Sequence, residues 1–255
     1  MKTYVLAHRG ASILAPENTR ASFQLAIDMG VDGVEFDVQM TKDDKLVIIH
    51  DEKVDRTTNA KGYVKDFTLK EIKALDAGIT FSKKYKGEKI LTLKEALEIV
   101  KGCDIINIEL KNGLMKYPNL EEKVISTIRS YNLEKKVILS SFNHFSIHKI
   151  SKMAPDIMTG ILYSDILYNP WDYAKYVGAS AINPNYLSIS GEIIKQSHKN
   201  GIKVNVYTVN NERDITKMIE EGVDTIITNY PERAISLIKK YCIKSKHDND
   251  IKIGR

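Results

Sequence analysis

The stretch YVLAHRGASILAPENTRASFQLAIDMGVDGVEFDV, Tyr4–Val38, has the pattern of a strand, a helix and a second strand. YVLA and GVEFDV are short apolar or β-branched runs, whereas TRASFQLAIDMG between them has the apolar spacing of an amphipathic helix. Gly30 ends that helix just before the second strand. Because strands joined by a crossover helix pair in parallel, this stretch predicts the first βαβ unit of an α/β fold.

The same alternation continues along the chain. Six further short runs, DIINIEL, KVILSS, IMTGILY, SAINP, IKVNVYT and VDTIIT, are separated by amphipathic segments. Gly201 and Gly222 end helices before the next strand, and Pro231 suits a first helical turn. Eight strands alternating with helices in 255 residues predict a closed (β/α)8 TIM barrel.

One interval breaks this alternation. The run MTKDDKLVIIH after the second strand predicts a hairpin that turns at Asp43 and Asp44 and carries the chain back over the strand ends. The following residues, about 52–90, are too many for an ordinary βα loop and predict an insertion at that rim. The helical pattern resumes at Thr92, where Glu95 three residues later completes a capping box.

Composition and charge narrow the class of protein. The chain is 43% hydrophobic and 28% charged, as in ordinary globular domains. Its net charge of +5 is spread along the sequence, which argues against a nucleic-acid partner. The sequence contains no long apolar run and no signal peptide, so we expect no integral membrane segment and a cytoplasmic location. We predict one barrel domain over 1–243 and a disordered polar tail over 244–255.

Ionisable residues gather at the carboxyl ends of the first predicted strands, where barrel enzymes carry their active sites. Glu35 and Asp37 are two residues apart and so lie on one face of a strand, and Glu109 and Lys111 repeat this spacing in the next barrel strand. Adjacent buried carboxylates repel unless a cation or a proton lies between them. The same mouth of the barrel receives His8, Arg9, Gly10, His50 and Asp51.

These side chains suit the cleavage of a phosphodiester. The carboxylates of Glu35, Asp37 and Glu109 form an all-oxygen set typical of Ca²⁺ or Mg²⁺. The cations of Arg9 and Lys111 can hold phosphate oxygens, and two imidazoles supply an acid and a base near neutral pH. Each pattern alone is more often structural, but their coincidence at one rim favours a catalytic site.

Five motifs also carry a family resemblance: AHRGASILAPENT, GVEFDVQMTKDDKLVIIHDEKVDRTTNAKGYVKDFTLKEIKALDAG, LTLKEALEIV, NIELK and VYTVNN. Through them the sequence resembles the bacterial, cytoplasmic type of glycerophosphodiester phosphodiesterase over nearly the whole chain except the tail. The resemblance implies a TIM barrel with a small insertion after the second strand. It also implies metal-dependent hydrolysis of a glycerophosphodiester to sn-glycerol 3-phosphate and an alcohol.

The resemblance further implies roles for single residues. Glu35, Asp37 and Glu109 match the ligands of one divalent cation, Ca²⁺ or Mg²⁺, and His8 and His50 match a catalytic pair. We take His50 as the base and His8 as the acid, although the sequence leaves this direction open. The nucleophile also stays open between water and the neighbouring glycerol hydroxyl, which would form a cyclic phosphate. The expected substrate contacts are Arg9, Lys111, Phe142 and Tyr207.

Two departures from the family pattern are small. Tyr207 stands where the family often has Trp, and Leu91 stands where Pro is usual. Tyr207 keeps an aromatic wall at the seventh barrel strand, so the change bears on selectivity rather than on chemistry. The head-group preference, the oligomeric state and the role of the insertion stay open at this stage.

Two other functions fit the same barrel. A lysophospholipase D-type phosphodiesterase would need an apolar groove beside the site, for which the candidates are Phe142, Leu162, Tyr163 and Trp171, although such side chains are more often core or rim packing. A non-catalytic glycerophosphodiester-binding barrel would be favoured by loss of a metal carboxylate or a histidine, and none is missing. We therefore prefer an enzyme with a small-molecule substrate.

Overall fold

The first strand of the computed structural model pairs in parallel with both the second and the last strand, which closes the sheet into a barrel. The structure describes residues 2–253, and side chains over 2–243. Eight parallel strands form the barrel, and β3 adds an antiparallel strand to β2. The strands are β1 (Tyr4–His8), β2 (Gly33–Met40), β3 (Leu46–Ile48), β4 (Ile105–Leu110), β5 (Val137–Ser141), β6 (Met158–Tyr163), β7 (Ala181–Pro184), β8 (Lys203–Val206) and β9 (Thr225–Thr228).

Helices connect successive barrel strands, so the predicted (β/α)8 fold is confirmed. The helix caps follow the sequence signals, with Gly222 in the left-handed region at the end of α8 and Pro231 as the first residue of α9. The helices are α1 (Arg20–Asp28), α2 (Leu69–Ala74), α3 (Leu93–Val100), α4 (Leu120–Ser130), α5 (His144–Met153), α6 (Pro170–Val177), α7 (Gly191–Lys199), α8 (Glu212–Glu221) and α9 (Pro231–Ile253).

Helix α9 extends beyond residue 243, the predicted end of the barrel domain. It continues to Ile253, through most of the segment 244–255 that the sequence predicts as a disordered tail. Residues 254–255 lie outside the described part of the chain, and side chains are described only to 243. The domain boundary at 243 therefore stays a prediction.

The strand β2 is fully buried in the barrel. All eight of its residues are buried, because helices cover its outer face and the other strands surround its inner face. Phe36 on this strand contacts Phe23 of α1 with ring centroids 5.4 Å apart. Full burial of such side chains stabilises the fold by about 1.5–3 kcal/mol each. The charged residues of β2 are therefore held on a rigid support.

The predicted hairpin follows β2 directly and is confirmed. Val38 of β2 lies opposite Ile48 of β3, and Asp44 in the turn has φ of +64°, a conformation that Asp tolerates better than most residues. The hairpin carries the chain to the predicted insertion, which contains α2 and two short 3-10 turns. The end of the hairpin and the insertion share a separate apolar cluster, formed by Val47, Ile49, Val54, Val64, Ile72, Ala77 and Ile90.

Helix α3 returns the chain to the barrel through the predicted capping box. The Thr92 hydroxyl accepts the Glu95 amide at 3.2 Å, and the Glu95 carboxylate accepts the Thr92 amide at 2.7 Å. We expect Thr92→Ala to lower the free energy of unfolding by about 1 kcal/mol, because it removes one side of this reciprocal cap. Urea denaturation measures the change.

The matched control for this substitution is Thr216→Ala in the interior of α8. Its hydroxyl donates to the Glu212 carbonyl at 2.8 Å and caps no helix terminus. Alanine has the higher helix propensity, so we expect no loss of stability there. An equal loss at both positions would contradict the capping role of Thr92.

Candidate active site

Three carboxylates meet at one mouth of the barrel because of the strand register. Asp37 of β2 lies opposite Glu109 of β4, and Glu35 of β2 lies opposite His8 of β1. One oxygen of each of Glu35, Asp37 and Glu109 lies within 4.8 Å of the other two. All three residues are buried, and Asp37 is completely inaccessible.

The charge state of this cluster reflects its crowding. Burial and the neighbouring charges of Asp37 and Glu109 raise the pKa of Glu35 well above its ordinary value. Burial and the Asp37 charge raise the pKa of Glu109 to about 7, although Lys111 acts in the opposite direction. Burial also acts to raise the pKa of Asp37, but the charges of Arg9 and Lys111 and the other groups that favour its charged form together hold that pKa below its usual range. The cluster therefore favours a proton or a cation between its oxygens.

The Asp37 side chain shows where a cation would fit. Its Oδ2 atom accepts a hydrogen bond from the Asn18 amide at 3.0 Å. Its Oδ1 atom is buried and has no hydrogen-bond partner among the described residues. Buried carboxylate oxygens are normally paired or bound to a metal. Hard oxygen donors of this kind fit Ca²⁺ or Mg²⁺.

The Arg9 side chain connects the carboxylate cluster to Glu17, another residue of the first βα loop. Its Nε atom is 3.4 Å from Asp37 Oδ2, and its Nη1 atom donates to Glu17 Oε1 at 3.0 Å. The backbone here is in the left-handed region, with φ of +59° at Arg9 and +81° at Gly10. A Cβ at Gly10 would lie 2.6 Å from the Ser22 hydroxyl, so this turn requires glycine.

The two predicted catalytic histidines point into the same site. His8 Nδ1 is 2.6 Å from Asn229 Oδ1, and His50 Nδ1 is 2.6 Å from Asp51 Oδ1. Because these oxygens only accept hydrogen bonds, each ring carries a proton on Nδ1 and presents Nε2 to the site. Burial, aided by the Arg9 charge, lowers the pKa of His8 to about 4, so this ring is neutral at pH 7.

Lys111 joins the carboxylate cluster to the second histidine. Its Nζ atom donates to Glu109 Oε1 at 2.8 Å and lies 3.2 Å from His50 Nε2. The lysine follows directly on β4, so the strand fixes its origin and the two partners fix its ammonium group. The structure thus brings together all eight ionisable residues predicted at the mouth: His8, Arg9, Glu35, Asp37, His50, Asp51, Glu109 and Lys111.

The predicted aromatic contacts follow the barrel strands β5 and β8. Phe142 is 46% exposed, and its ring meets that of Tyr207 edge-on at 6.1 Å between centroids. Burial raises the pKa of Tyr207, and the Glu109 charge adds to this effect, so Tyr207 lies within electrostatic reach of the carboxylates. Its hydroxyl donates to the Tyr163 carbonyl at 3.1 Å. Both rings are therefore placed to border a ligand.

The apolar groove considered for a lysophospholipid does not form from the residues proposed for it. Leu162 and Tyr163 are 5% and 7% exposed, and Trp171 packs against the main core. Only Phe142 of the four candidates is exposed at the mouth. Periodicity places such residues on a strand or a helix but does not tell which of them reach the surface.

Several residues that support the site carry no sequence signal of their own. Gln39 is fully buried and donates its amide to the backbone carbonyls of 49–51 at 2.6–3.1 Å, which holds the segment that carries His50. Its Oε1 atom accepts the Tyr117 hydroxyl at 2.8 Å. Asn229 reaches His8 from a position 221 residues away. Glu17 and Asn18, which bond to Arg9 and Asp37, belong by contrast to the motif PENT.

Comparison with known proteins identifies the family. The family model of glycerophosphoryl diester phosphodiesterases matches residues 8–233, which include every candidate site residue. A glycerophosphodiester phosphodiesterase of Caldanaerobacter subterraneus subsp. tengcongensis is 51% identical over 241 residues, covering 94% of this chain and 99% of the relative. The chain belongs to the glycerophosphoryl diester phosphodiesterase family. As a member it is an enzyme, a glycerophosphodiester phosphodiesterase.

Solved structures of the family share the fold described above. A phosphodiesterase of Oleispira antarctica, in complex with the product sn-glycerol-3-phosphate, is 32% identical with a TM-score of 0.83 over 92% of this chain and 96% of its own. A glycerophosphodiester phosphodiesterase of Agrobacterium tumefaciens is 31% identical with a TM-score of 0.82 over 92% of this chain and 100% of its own. Within residues 2–253, no helix has the length and apolar character needed to cross a membrane.

Proposed function

We propose that the enzyme hydrolyses glycerophosphodiesters to sn-glycerol 3-phosphate and an alcohol, with one divalent cation held by Glu35, Asp37 and Glu109. The observation that carries this proposal is the buried carboxylate cluster with its unpartnered Asp37 oxygen. Bound there, Ca²⁺ or Mg²⁺ would supply a Lewis acid next to the phosphate. The product complex of the Oleispira antarctica relative supports the assignment of the product.

Arg9 and Lys111 are the proposed phosphate contacts. The Arg9 Nε atom is buried and lacks a hydrogen-bond acceptor among the described residues, so its proton is available to a ligand. The Lys111 ammonium lies between Glu109 and His50, where a phosphate oxygen can take the place of one of these partners. Cationic donors at fixed positions stabilise the charge that builds on the non-bridging oxygens in the transition state.

The two histidines are the proposed acid/base pair. The Nδ1 atom of His8 donates to the uncharged amide of Asn229, which favours a neutral ring that accepts a proton at Nε2. The Nδ1 atom of His50 donates to the Asp51 carboxylate, which stabilises an imidazolium that donates a proton from Nε2. We therefore assign His8 as the base toward the nucleophile and His50 as the acid toward the leaving alkoxide. This is the reverse of the order taken from the sequence, in which His50 is the base and His8 the acid. Water and the neighbouring glycerol hydroxyl both remain compatible nucleophiles.

Phe142 and Tyr207 are proposed to border the glycerol moiety. Their edge-on pair forms a partly exposed apolar wall after strands β5 and β8. Apolar walls with a few placed polar groups are typical of small-ligand sites. The cytoplasmic location and the lack of a nucleic-acid partner stay predictions from the sequence.

The proposal is tested by measuring sn-glycerol 3-phosphate released from glycerophosphocholine and glycerophosphoethanolamine. The purified enzyme is assayed with Ca²⁺, with Mg²⁺ and with EDTA. We expect release that one of the two cations supports and EDTA abolishes. Release in EDTA at the same rate contradicts the metal site, and release only from lysophospholipids moves the assignment to a lysophospholipase D-type enzyme.

A further inference from the structure

A chain of ion pairs links the insertion to the first βα loop beside the mouth of the barrel. Arg56, in the insertion, donates from Nε to Asp51 Oδ2 at 2.7 Å and from Nη2 to Asp51 Oδ1 at 3.0 Å. The same guanidinium donates from Nη1 to Glu17 Oε2 at 2.7 Å and from Nη2 to Glu17 Oε1 at 2.8 Å. Arg56 therefore forms hydrogen bonds with two carboxylates that belong to different loops.

Both ends of this chain reach the site. Asp51 accepts the Nδ1 proton of His50 at 2.6 Å, and Glu17 accepts from Arg9 Nη1 at 3.0 Å. Arg56 itself is not part of the mouth, because its two bonded carboxylates lie between it and the residues that face the ligand. Its side chain is 48% exposed, whereas that of Glu17 is 19% exposed.

The geometry differs from that of an ordinary surface ion pair. A single exposed pair contributes little, because solvent screens it and two flexible side chains must be ordered. Here one planar group makes four contacts of 2.7–3.0 Å with two carboxylates. The pKa of Asp51 is lowered although burial acts to raise it, because Arg56 and His50 bind its charged form.

We infer that Arg56 is a positioning residue for His50, acting through Asp51, with Glu17 as its anchor on the barrel rim. The inference rests on the proposed acid/base role of His50. Asp51 is 31% exposed and has no other cationic side chain than Arg56 and His50 bonded to it among the described residues, so without Arg56 it is free to turn toward solvent. His50 then loses the partner that fixes its tautomer and ring orientation.

Lysine is a poor substitute at this position. Its ammonium is a point charge on a flexible stem, whereas the guanidinium presents donors in a fixed plane that matches two carboxylates at once. We expect Arg56→Lys to keep the positive charge of the insertion but to recover only part of the activity. A role based on net charge alone would give full recovery.

The test measures kcat and KM of Arg56→Ala with glycerophosphocholine. We expect kcat to fall roughly 10–100-fold, the range typical of outer partners that orient a functional group, with KM changed less than about threefold. The matched control is Arg129→Ala, whose guanidinium is also 48% exposed and pairs with Asp156 at 3.1 Å outside the mouth. This control is expected to leave kcat unchanged.

The double variant separates positioning from a general structural effect. If Arg56 acts through His50, Arg56→Ala has no further effect on kcat in a His50→Ala background. An equal fall in both backgrounds, or an unchanged kcat in the single variant, overturns the inference. Failure of the proposed function is a different result, because His50→Ala would then itself retain normal turnover.

Discussion

His8→Ala and His50→Ala are each expected to lower kcat by about 10²–10⁴-fold, the usual contribution of a positioned acid or base. Each ring donates its Nδ1 proton to an oxygen atom in a hydrogen bond and presents Nε2 to the site. Each substitution therefore removes one of the two proposed proton transfers. Substrate binding should change little, because the proposed phosphate contacts, Arg9 and Lys111, remain. Steady-state release of sn-glycerol 3-phosphate gives kcat and KM for each variant.

A second substrate separates the two roles. A p-nitrophenyl glycerophosphate has a leaving group that departs without a proton, so the loss in His50→Ala should shrink on this ester and the loss in His8→Ala should persist. The opposite pattern would restore His50 as the base. His148→Ala is the control, since its Nδ1 atom bonds to the Val177 carbonyl on the outside of the barrel at 2.9 Å. Near-normal turnover of His8→Ala or His50→Ala contradicts acid/base catalysis by that ring.

Asp37→Asn is expected to lower activity by about 10³-fold or more. Lewis-acid stabilisation by a bound cation is worth several kcal/mol, and each 1.36 kcal/mol is a factor of ten in rate. The substitution removes the negative charge of the only completely inaccessible member of the carboxylate cluster while preserving its shape. Calorimetric titration with Ca²⁺ and Mg²⁺ measures the loss of metal affinity directly.

Thermal unfolding provides a second measurement on the same variant. A cation that binds only the folded state raises the unfolding temperature of the wild-type enzyme, and this rise should be absent in Asp37→Asn. Asp156→Asn, which alters an exposed pair with Arg129, is the matched control and should keep the full rise. Unchanged metal affinity in Asp37→Asn would contradict the ligand set.

Much of the fold could be predicted because its signals are local. Strand and helix patterns alternate in the sequence, and residues such as Gly222, Pro231 and Thr92 mark helix ends through their own backbone preferences. Parallel strands then bring their carboxyl ends to one mouth, so charged residues such as Glu35 and Glu109 could be grouped without coordinates. The insertion was visible only as a break in this alternation.

The partners of the site residues could not be predicted because they depend on long-range packing. Asn229 and Tyr117 contact His8 and Gln39 across 221 and 78 residues, and no local pattern specifies such pairs. The proposed order of acid and base rests on the same contacts, since an amide accepts the Nδ1 proton of one ring and a carboxylate accepts that of the other. Arg56 was likewise inconspicuous among the charged residues of the insertion.

Barrel closure by β9 has a consequence for how the enzyme is made on the ribosome. Every charged residue of the mouth lies before residue 112, but β1 keeps an unpaired edge until β9 pairs with it, and His8 lacks Asn229 until then. Synthesis of the residues from 112 to 229 takes on the order of ten seconds. The nascent chain therefore carries all of its proposed catalytic and metal-binding residues well before it can catalyse, and activity begins only after the last barrel strand and Asn229 have emerged.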